Sequence, residues 1–386
     1  MRFSVFALLA LFAAPGIAGP TPLRDVLKYS GSTTGKYLVK LKSTASKAAL
    51  INQIRANATI THDWTLLNGF AGHLDEHSLN ILRASDDVER ISEDGIMHTM
   101  TVQTDATWGL QRISNSAPIP STDPSALTYD YTYTATGSGV DIYIVDTGIF
   151  IQHTQFGGRA RWGTAVGSYN QSDGNGHGTH CAGIAAGSQF GVAKQASLIA
   201  VKVLSDLGTG SIADIVTGLD WVQSQVQSSG RPSVVSMSLG GGLSLTLNDA
   251  VASLTGSGIH VAVAAGNSNV DCDFTSPASE PTAITVGATQ IDDYRAGFSN
   301  YGRFLDVFAA GNYVISSFIG STTATKPLSG TSMATPHVAG MIAYIISRDG
   351  NSSPADMSSK IAAQALKNAL SDVPDGTVNY LAQIGR

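Results

Sequence analysis

Hydrophobic and polar positions change rhythm along the chain. In residues 35–98 short alternating runs mix with helical spacing. Residues 35–41 (GKYLVKL) alternate like a strand, and 45–56 set Ala49, Leu50 and Ile54 on one helical face. Residues 69–74 read as a further strand and 78–83 as a second helix. Residues 88–94 then lead into an extended tail ending near Met100. Two helices among several short strands predict a small α+β domain. From Gly139 the pattern becomes strand–helix alternation. Near-continuous apolar strands are predicted over 140–145, 197–204, 233–238, 259–265 and 283–286, with helices over 179–186, 212–227 and 247–255. Such strands belong to a mostly parallel sheet covered by helices on both faces, an α/β domain whose function gathers at the carboxyl ends of its strands. A last apolar run from Val338 to Ile346 follows Gly330-Thr331-Ser332. Apolar on nearly every side, it predicts a buried helix with Ser332 at its N-terminus and Pro336 in its first turn.

Composition narrows the class. In 386 residues, 43% hydrophobic content suits a large core, and a net charge of −6 with no basic run excludes a nucleic-acid partner. Arg2, an apolar segment from Phe3 to Ala14 and small residues to Gly19 predict a secretory signal peptide, too short to span a bilayer. No later stretch predicts a membrane span. Two cysteines, Cys181 and Cys272, make no disulfide framework and are expected unpaired. Asn57, Asn170 and Asn351 lie in glycosylation sequons.

Ser332 alone reads more readily as a helix cap than as a nucleophile. Three other residues change that. Asp146 ends the strand 140–145 in Asp146-Thr147-Gly148; an aspartic-protease reading fails for want of a second such triplet. His177 stands among glycines in Asp173-Gly174-Asn175-Gly176-His177-Gly178-Thr179-His180. A zinc site using His177, His180 and Cys181 lacks further ligands at a recognised spacing. Asn267 follows another apolar strand in Ala264-Ala265-Gly266-Asn267, where a side-chain amide can donate to a developing oxyanion. Each has a bland reading as a turn residue. Together, in the order Asp146, His177, Asn267, Ser332, they match the Asp–His–Ser order of subtilisin rather than that of chymotrypsin or the α/β-hydrolases. An esterase would also need a Gly-x-Ser-x-Gly elbow.

These blocks, with Gly330-Thr331-Ser332-Met333-Ala334-Thr335-Pro336-His337, resemble the signature of subtilisin-like serine proteases from about Trp108 to the C-terminus. Residues 236–242 (SMSLGGG) and 276–281 (SPASEP) look most like the secreted proteinase K branch. Residues 35–98 resemble, more loosely, the family's inhibitory propeptide. With the signal peptide placed at 1–18 from its own residues, the resemblance implies a propeptide over 19–100 and a peptidase domain over 101–386. It implies a secreted, monomeric endopeptidase acting on proteins and peptides and held by its own propeptide until processed. By position, Asp146 orients His177, His177 is the base for Ser332, and Asn267 completes the oxyanion pocket. A substrate strand is expected between Gly208-Thr209-Gly210 and Ser238-Leu239-Gly240, exposed segments with free peptide groups. Ala264, Ala265 and Gly266 are expected to line an uncharged pocket of apolar preference. The carbonyls of Pro281 and Ala283 with the Asp306 carboxylate match a calcium site of that branch. Apolar Met100 before Thr101, with no dibasic pair, marks a self-cleaved bond. A catalytically silent relative is the competing reading, and the intact quartet argues against it.

Overall fold

In the computed structural model, residues 23–29, 33–96 and 101–385 are described, and the chain divides into two compact units, 1–97 and 98–386. The expected signal segment lies outside the described residues, as does Met100.

The first unit contains β1 (Val26–Leu27), β2 (Thr33–Leu41), α1 (Lys47–Ile54), β3 (Ala58–Trp64), β4 (Gly69–Leu74), α2 (Glu76–Ala84) and β5 (Val88–Gly95), with strand order β1-β5-β2-β4-β3. Both helices begin where a side chain accepts a free N–H: Ser46 from Ala49 and Asp75 from Ser78. Val39, Phe70, Leu82 and Ile91 meet in its core. The α+β expectation holds, with β3 as an unforeseen strand. It lies at the sheet edge and its register slips between Ile60 and His62, which breaks the alternation that would have marked it.

The second unit opens with β6 (Thr101–Ala106), α3 (Trp108–Ser114) and β7 (Tyr129–Tyr133). It continues with β8 (Asp141–Asp146), β9 (Ala160–Ala165), α4 (His177–Ala186), β10 (Ser197–Lys202), α5 (Ile212–Ser229) and β11 (Ser233–Met237). After β12 (Gly241–Gly242) come α6 (Leu245–Gly256), β13 (His260–Ala264), β14 (Thr275–Ser276), β15 (Ile284–Thr289) and β16 (Val307–Ala310). The end is β17 (Val314–Ser317), β18 (Thr325–Leu328), α7 (Thr331–Asp349), α8 (Pro354–Gln364), β19 (Leu366–Lys367) and β20 (Tyr380–Leu381).

The main sheet runs β19-β20-β16-β15-β13-β11-β8-β10-β9, parallel except for the β19–β20 pair. Alternate residues of one strand serve opposite cores. Ile142 and Ile144 of β8 pack with α4 and α7, while Tyr143 and Val145 pack with α5 and α6. This two-sided burial explains why the strands read as continuous apolar runs. From β8 the chain steps one way to β10 and β9, and later the other way to β11, β13 and β15. The carboxyl ends of β8, β11 and β13 therefore flank the point where strand order reverses. Among the described residues no helix is long and apolar enough to cross a membrane.

The expected helix with Ser332 at its N-terminus is present: it begins one residue earlier, at Thr331, and is buried from Met333 to Ile346. Pro336 is thus its sixth residue, not part of its first turn as the sequence suggested. The helix tolerates it because a carbonyl freed there finds partners elsewhere.

Candidate active site

Asp146 is the last residue of β8 and wholly buried. Both carboxylate oxygens meet His177 Nδ1, at 2.8 and 2.9 Å, and Oδ1 also accepts the Thr147 N–H at 2.7 Å. His177 opens α4. Gly176 before it has φ 93°, and a β-carbon there would stand 2.6 Å from the Phe318 ring. A β-carbon on Gly178 would strike the Gly148 carbonyl oxygen. Only glycines on both sides let the imidazole settle against the end of β8. Burial alone would lower the His177 pKa; the Asp146 carboxylate and its hydrogen bond, with Asp173 beyond, outweigh it and raise the value above 6.5.

The segment carrying His177 is stitched in place by residues that sequence reasoning passed over. Asp173 Oδ1 accepts from Thr147 Oγ1 at 2.9 Å and from the Gly176 N–H at 2.8 Å, and Oδ2 accepts from the Thr179 N–H at 3.0 Å. Thr147 Oγ1 accepts the Gly178 N–H at 3.0 Å. Buried Lys202 donates to the Thr147 carbonyl at 2.6 Å and to Asp206 at 2.8 Å. The one available signal was Asp173 standing six residues before Thr179, an ordinary turn by itself.

Ser332 is the second residue of α7, where helical N–H groups are unpaired and favour negative charge. Its hydroxyl donates to the Ser238 carbonyl at 3.3 Å. Among the described hydrogen bonds none joins it to His177; such bonds often close only with substrate bound. Asn267 Oδ1 accepts from Thr331 N–H at 2.7 Å and Thr331 Oγ1 at 3.0 Å. That fixes the amide so that Nδ2 remains the donor. A β-carbon on Gly330 would lie 3.5 Å from both Asn267 Nδ2 and Ser332 N, so the two nitrogens border the same small space. Asn300 shapes the loop behind them: its Nδ2 donates to Ala265 O at 2.9 Å and its Oδ1 accepts from Ser268 and Val270 N–H.

Beside Ser332 lies a pocket of about 370 Å³ lined by Ala264, Ala265, Gly266, Asn267 and residues 238–242. A second hollow, about 450 Å³, lies between 208–210 and 238–242 with Leu204, Ile215, Leu239 and Leu247 in its wall and His177 at its edge. Residues 208–210 and Gly240 are exposed as expected, but Ser238 is buried and Leu239 half-buried. The 208–210 peptides are also not all free: Ser205 N–H donates to Thr209 O and Gly208 N–H to Ser205 O.

Elsewhere, Asp306 accepts the Thr285 N–H at 2.7 Å, and burial pushes its carboxyl up to about 7. Its own N–H donates to Thr285 O at 3.0 Å, and a carboxylate so buried is a hard oxygen donor that a cation would suit. His180 does not join His177 in a metal site. Its Nε2 meets Lys326 O at 2.8 Å, and burial drives its pKa down to about 3. Both cysteines are free and buried. Thr101 opens β6 and is exposed; Asn57, Asn170 and Asn351 are exposed, with Asn351 accepting from His260 Nε2 at 2.9 Å.

Comparison with known proteins fits this geometry. Residues 137–382 match the subtilase family and residues 36–100 the peptidase inhibitor I9 family. The alkaline serine protease ver112 of Corniculantispora psalliotae is 46% identical over 99% of both chains. A cuticle-degrading protease of Metarhizium anisopliae is 43% identical over 98% of this chain and 97% of its own. Proteinase R of Parengyodontium album is 44% identical over 90% of this chain and 88% of its own. The crystal structure of a cold-adapted subtilisin-like serine proteinase, 41% identical, superposes with a TM-score of 0.67 over 72% of this chain and 98% of its own.

Proposed function

The chain belongs to the subtilase family of serine endopeptidases, and we propose that Asp146, His177 and Ser332 are its catalytic triad and Asn267 its oxyanion donor. The observation that carries this reading is His177 held by Asp146 at 2.8 Å, with Asn267 Nδ2 and Ser332 N each 3.5 Å from the place a β-carbon on Gly330 would take. His177, neutral and with Nδ1–H on Asp146, takes the Ser332 proton at Nε2 as Oγ attacks the scissile carbonyl. The two N–H donors take up the charge on the carbonyl oxygen. The imidazolium, stabilised by Asp146, then returns the proton to the leaving amine, and water repeats the sequence on the acyl-enzyme. Preset donors contribute most where charge is greatest, in the tetrahedral species.

The substrate runs extended between 208–210 and 238–240, held through peptide groups, with its residue before the cut in the pocket of Ala264, Ala265 and Gly266. That pocket has no charged wall, so apolar side chains are preferred. A further apolar side chain upstream fits the hollow walled by Leu204, Ile215, Leu239 and Leu247. The inhibitor I9 unit supports synthesis as a zymogen. In this reading residues 1–18 direct secretion and 19–100 restrain the enzyme. The chain cuts itself between Met100 and Thr101 and works as an extracellular monomer carrying glycans at exposed sequons. Calcium held by Pro281 O, Ala283 O and Asp306 would offset the buried carboxylate and stiffen those strands; it has no part in the chemistry. The test is expression of Ser332→Ala in a protease-free host. The variant should accumulate with residues near Gly35 attached, while the parent begins at Thr101. A variant cut at the same bond would refute self-processing.

A further inference from the structure

Helix α7 has a gap in its hydrogen-bond ladder at the residue that matters most. Pro336 has no N–H, and the carbonyl four residues before it belongs to Ser332. That oxygen instead accepts the Ser238 hydroxyl at 2.8 Å and the Cys181 thiol at 3.4 Å. Ser238, at the end of β11, also presents its own carbonyl to the Ser332 hydroxyl at 3.3 Å. The two serines therefore hold each other at both ends. Ser238 is 5% exposed and Cys181 fully buried, so water competes little for either bond.

We propose that the Ser238 side chain is a positioning residue for catalysis: its hydroxyl clamps the Ser332 carbonyl that Pro336 leaves open, and so fixes the nucleophile's main chain. The proposal rests on the reading of Ser332 as nucleophile. It assigns to a side chain of the substrate-binding segment a task separate from the segment's peptide groups. During attack Ser332 Oγ must leave the Ser238 carbonyl to reach the substrate. Only the carbonyl end of the pair then persists, and it must hold the backbone while the side chain turns. The C=O and N–H of Ser332 lie in the two peptide planes that meet at its Cα, so in a helical turn holding the first restrains the φ and ψ that aim the second, and the second borders the same space as Asn267 Nδ2. Cys181 supplies a second, weaker donor. Burial raises its thiol well above the usual range, so it stays an S–H donor and not a thiolate.

Ser238→Ala removes the clamp and leaves every peptide group of residues 238–240 in place; Ser238→Cys keeps a poorer donor of similar shape. In the mature enzyme, kcat on a tetrapeptide anilide should fall roughly tenfold for Ser238→Ala, the cost of one lost hydrogen bond to a largely buried acceptor. Ser238→Cys should fall between that variant and the parent, with KM within about twofold throughout. Affinity for a peptide boronic acid, which forms a tetrahedral adduct on serine, should drop with kcat; affinity for the product peptide should not. A parental kcat in Ser238→Ala would overturn the proposal. So would a parallel loss of boronate and product affinity, which would mean that the hydroxyl only shapes the substrate strand. Ser332→Ala is measured alongside: if it stays active, the nucleophile reading itself has failed; if it is silent while Ser238→Ala is unimpaired, only the clamp has.

Discussion

Replacing Thr331 by valine removes one oxygen and keeps the shape of a fully buried side chain. That oxygen has two partners. It donates to Asn267 Oδ1 at 3.0 Å and accepts the Gly266 N–H at 3.1 Å. The main-chain bond from Thr331 N–H to Asn267 Oδ1, 2.7 Å, survives the change. Asn267 is thus left with one of its two restraints, and Gly266 with an unsatisfied donor. Losing a bond of about 1 kcal/mol net, with a stranded N–H in addition, gives a stability cost of about 2 kcal/mol. In a domain of this size that lowers Tm by roughly 3–4 °C at a fixed scan rate. A whole oxyanion donor contributes about 2.7–4 kcal/mol, a range established in subtilisin itself. One of two restraints on that donor should therefore cost about 1 kcal/mol of transition-state stabilisation, or roughly fivefold in kcat. KM should not move, because ground-state contacts are untouched. Steady-state kinetics on a peptide anilide, with Asn267→Ala as the reference, measure this directly. If Asn267→Ala loses two or more orders of magnitude while Thr331→Val keeps the parental kcat, the hydroxyl does not preset the amide and the reasoning is wrong.

Two further outcomes follow from the charges around the site and sheet. Asp173 helps to hold the His177 pKa above 6.5, so Asp173→Asn should move the rising limb of the pH–rate profile to lower pH as well as reduce kcat; an unmoved limb would show that Asp173 only braces the loop. Without a cation the folded chain holds Asp306 at about 7 against 3.8 for the free side chain. The folded state then keeps a proton that the unfolded chain has released. Stability in EDTA should accordingly be full below pH 4 and decline as pH rises to about 7, with the loss complete above that. Calcium should restore it and Asp306→Asn should abolish both effects; a pH-independent Tm in EDTA would remove the basis for the site.

The fold was legible because two-sided burial leaves a simple mark, the apolar run of β8, β11 or β13 ending in a polar residue. Asp146 and Asn267 stood out for that reason, and His177 because glycines flank it. The supports did not stand out. Thr331 and Asn267 are 64 residues apart, and Lys202 reaches Thr147 across 55; only folding brings each polar side chain to its partner. Pro336 was misplaced because Gly330, not a side-chain cap, precedes the helix and hides its start. Ser238 read as exposed because small polar residues beside glycines suit surface turns, whereas here its hydroxyl is used inside. Helix α8 did carry a readable start, Ser353 accepting from Asp356 N–H with Pro354 next in line, but it has few buried apolar positions to define a face.

The central claim is that Ser332 is a nucleophile made reactive by His177. Treating the mature protein with a phosphonylating reagent and mapping the adduct by peptide mass spectrometry tests it most directly. A single adduct on Ser332, formed far more slowly in His177→Ala, is the result expected. Labelling at another residue, or at Ser332 with an unchanged rate in His177→Ala, would contradict it.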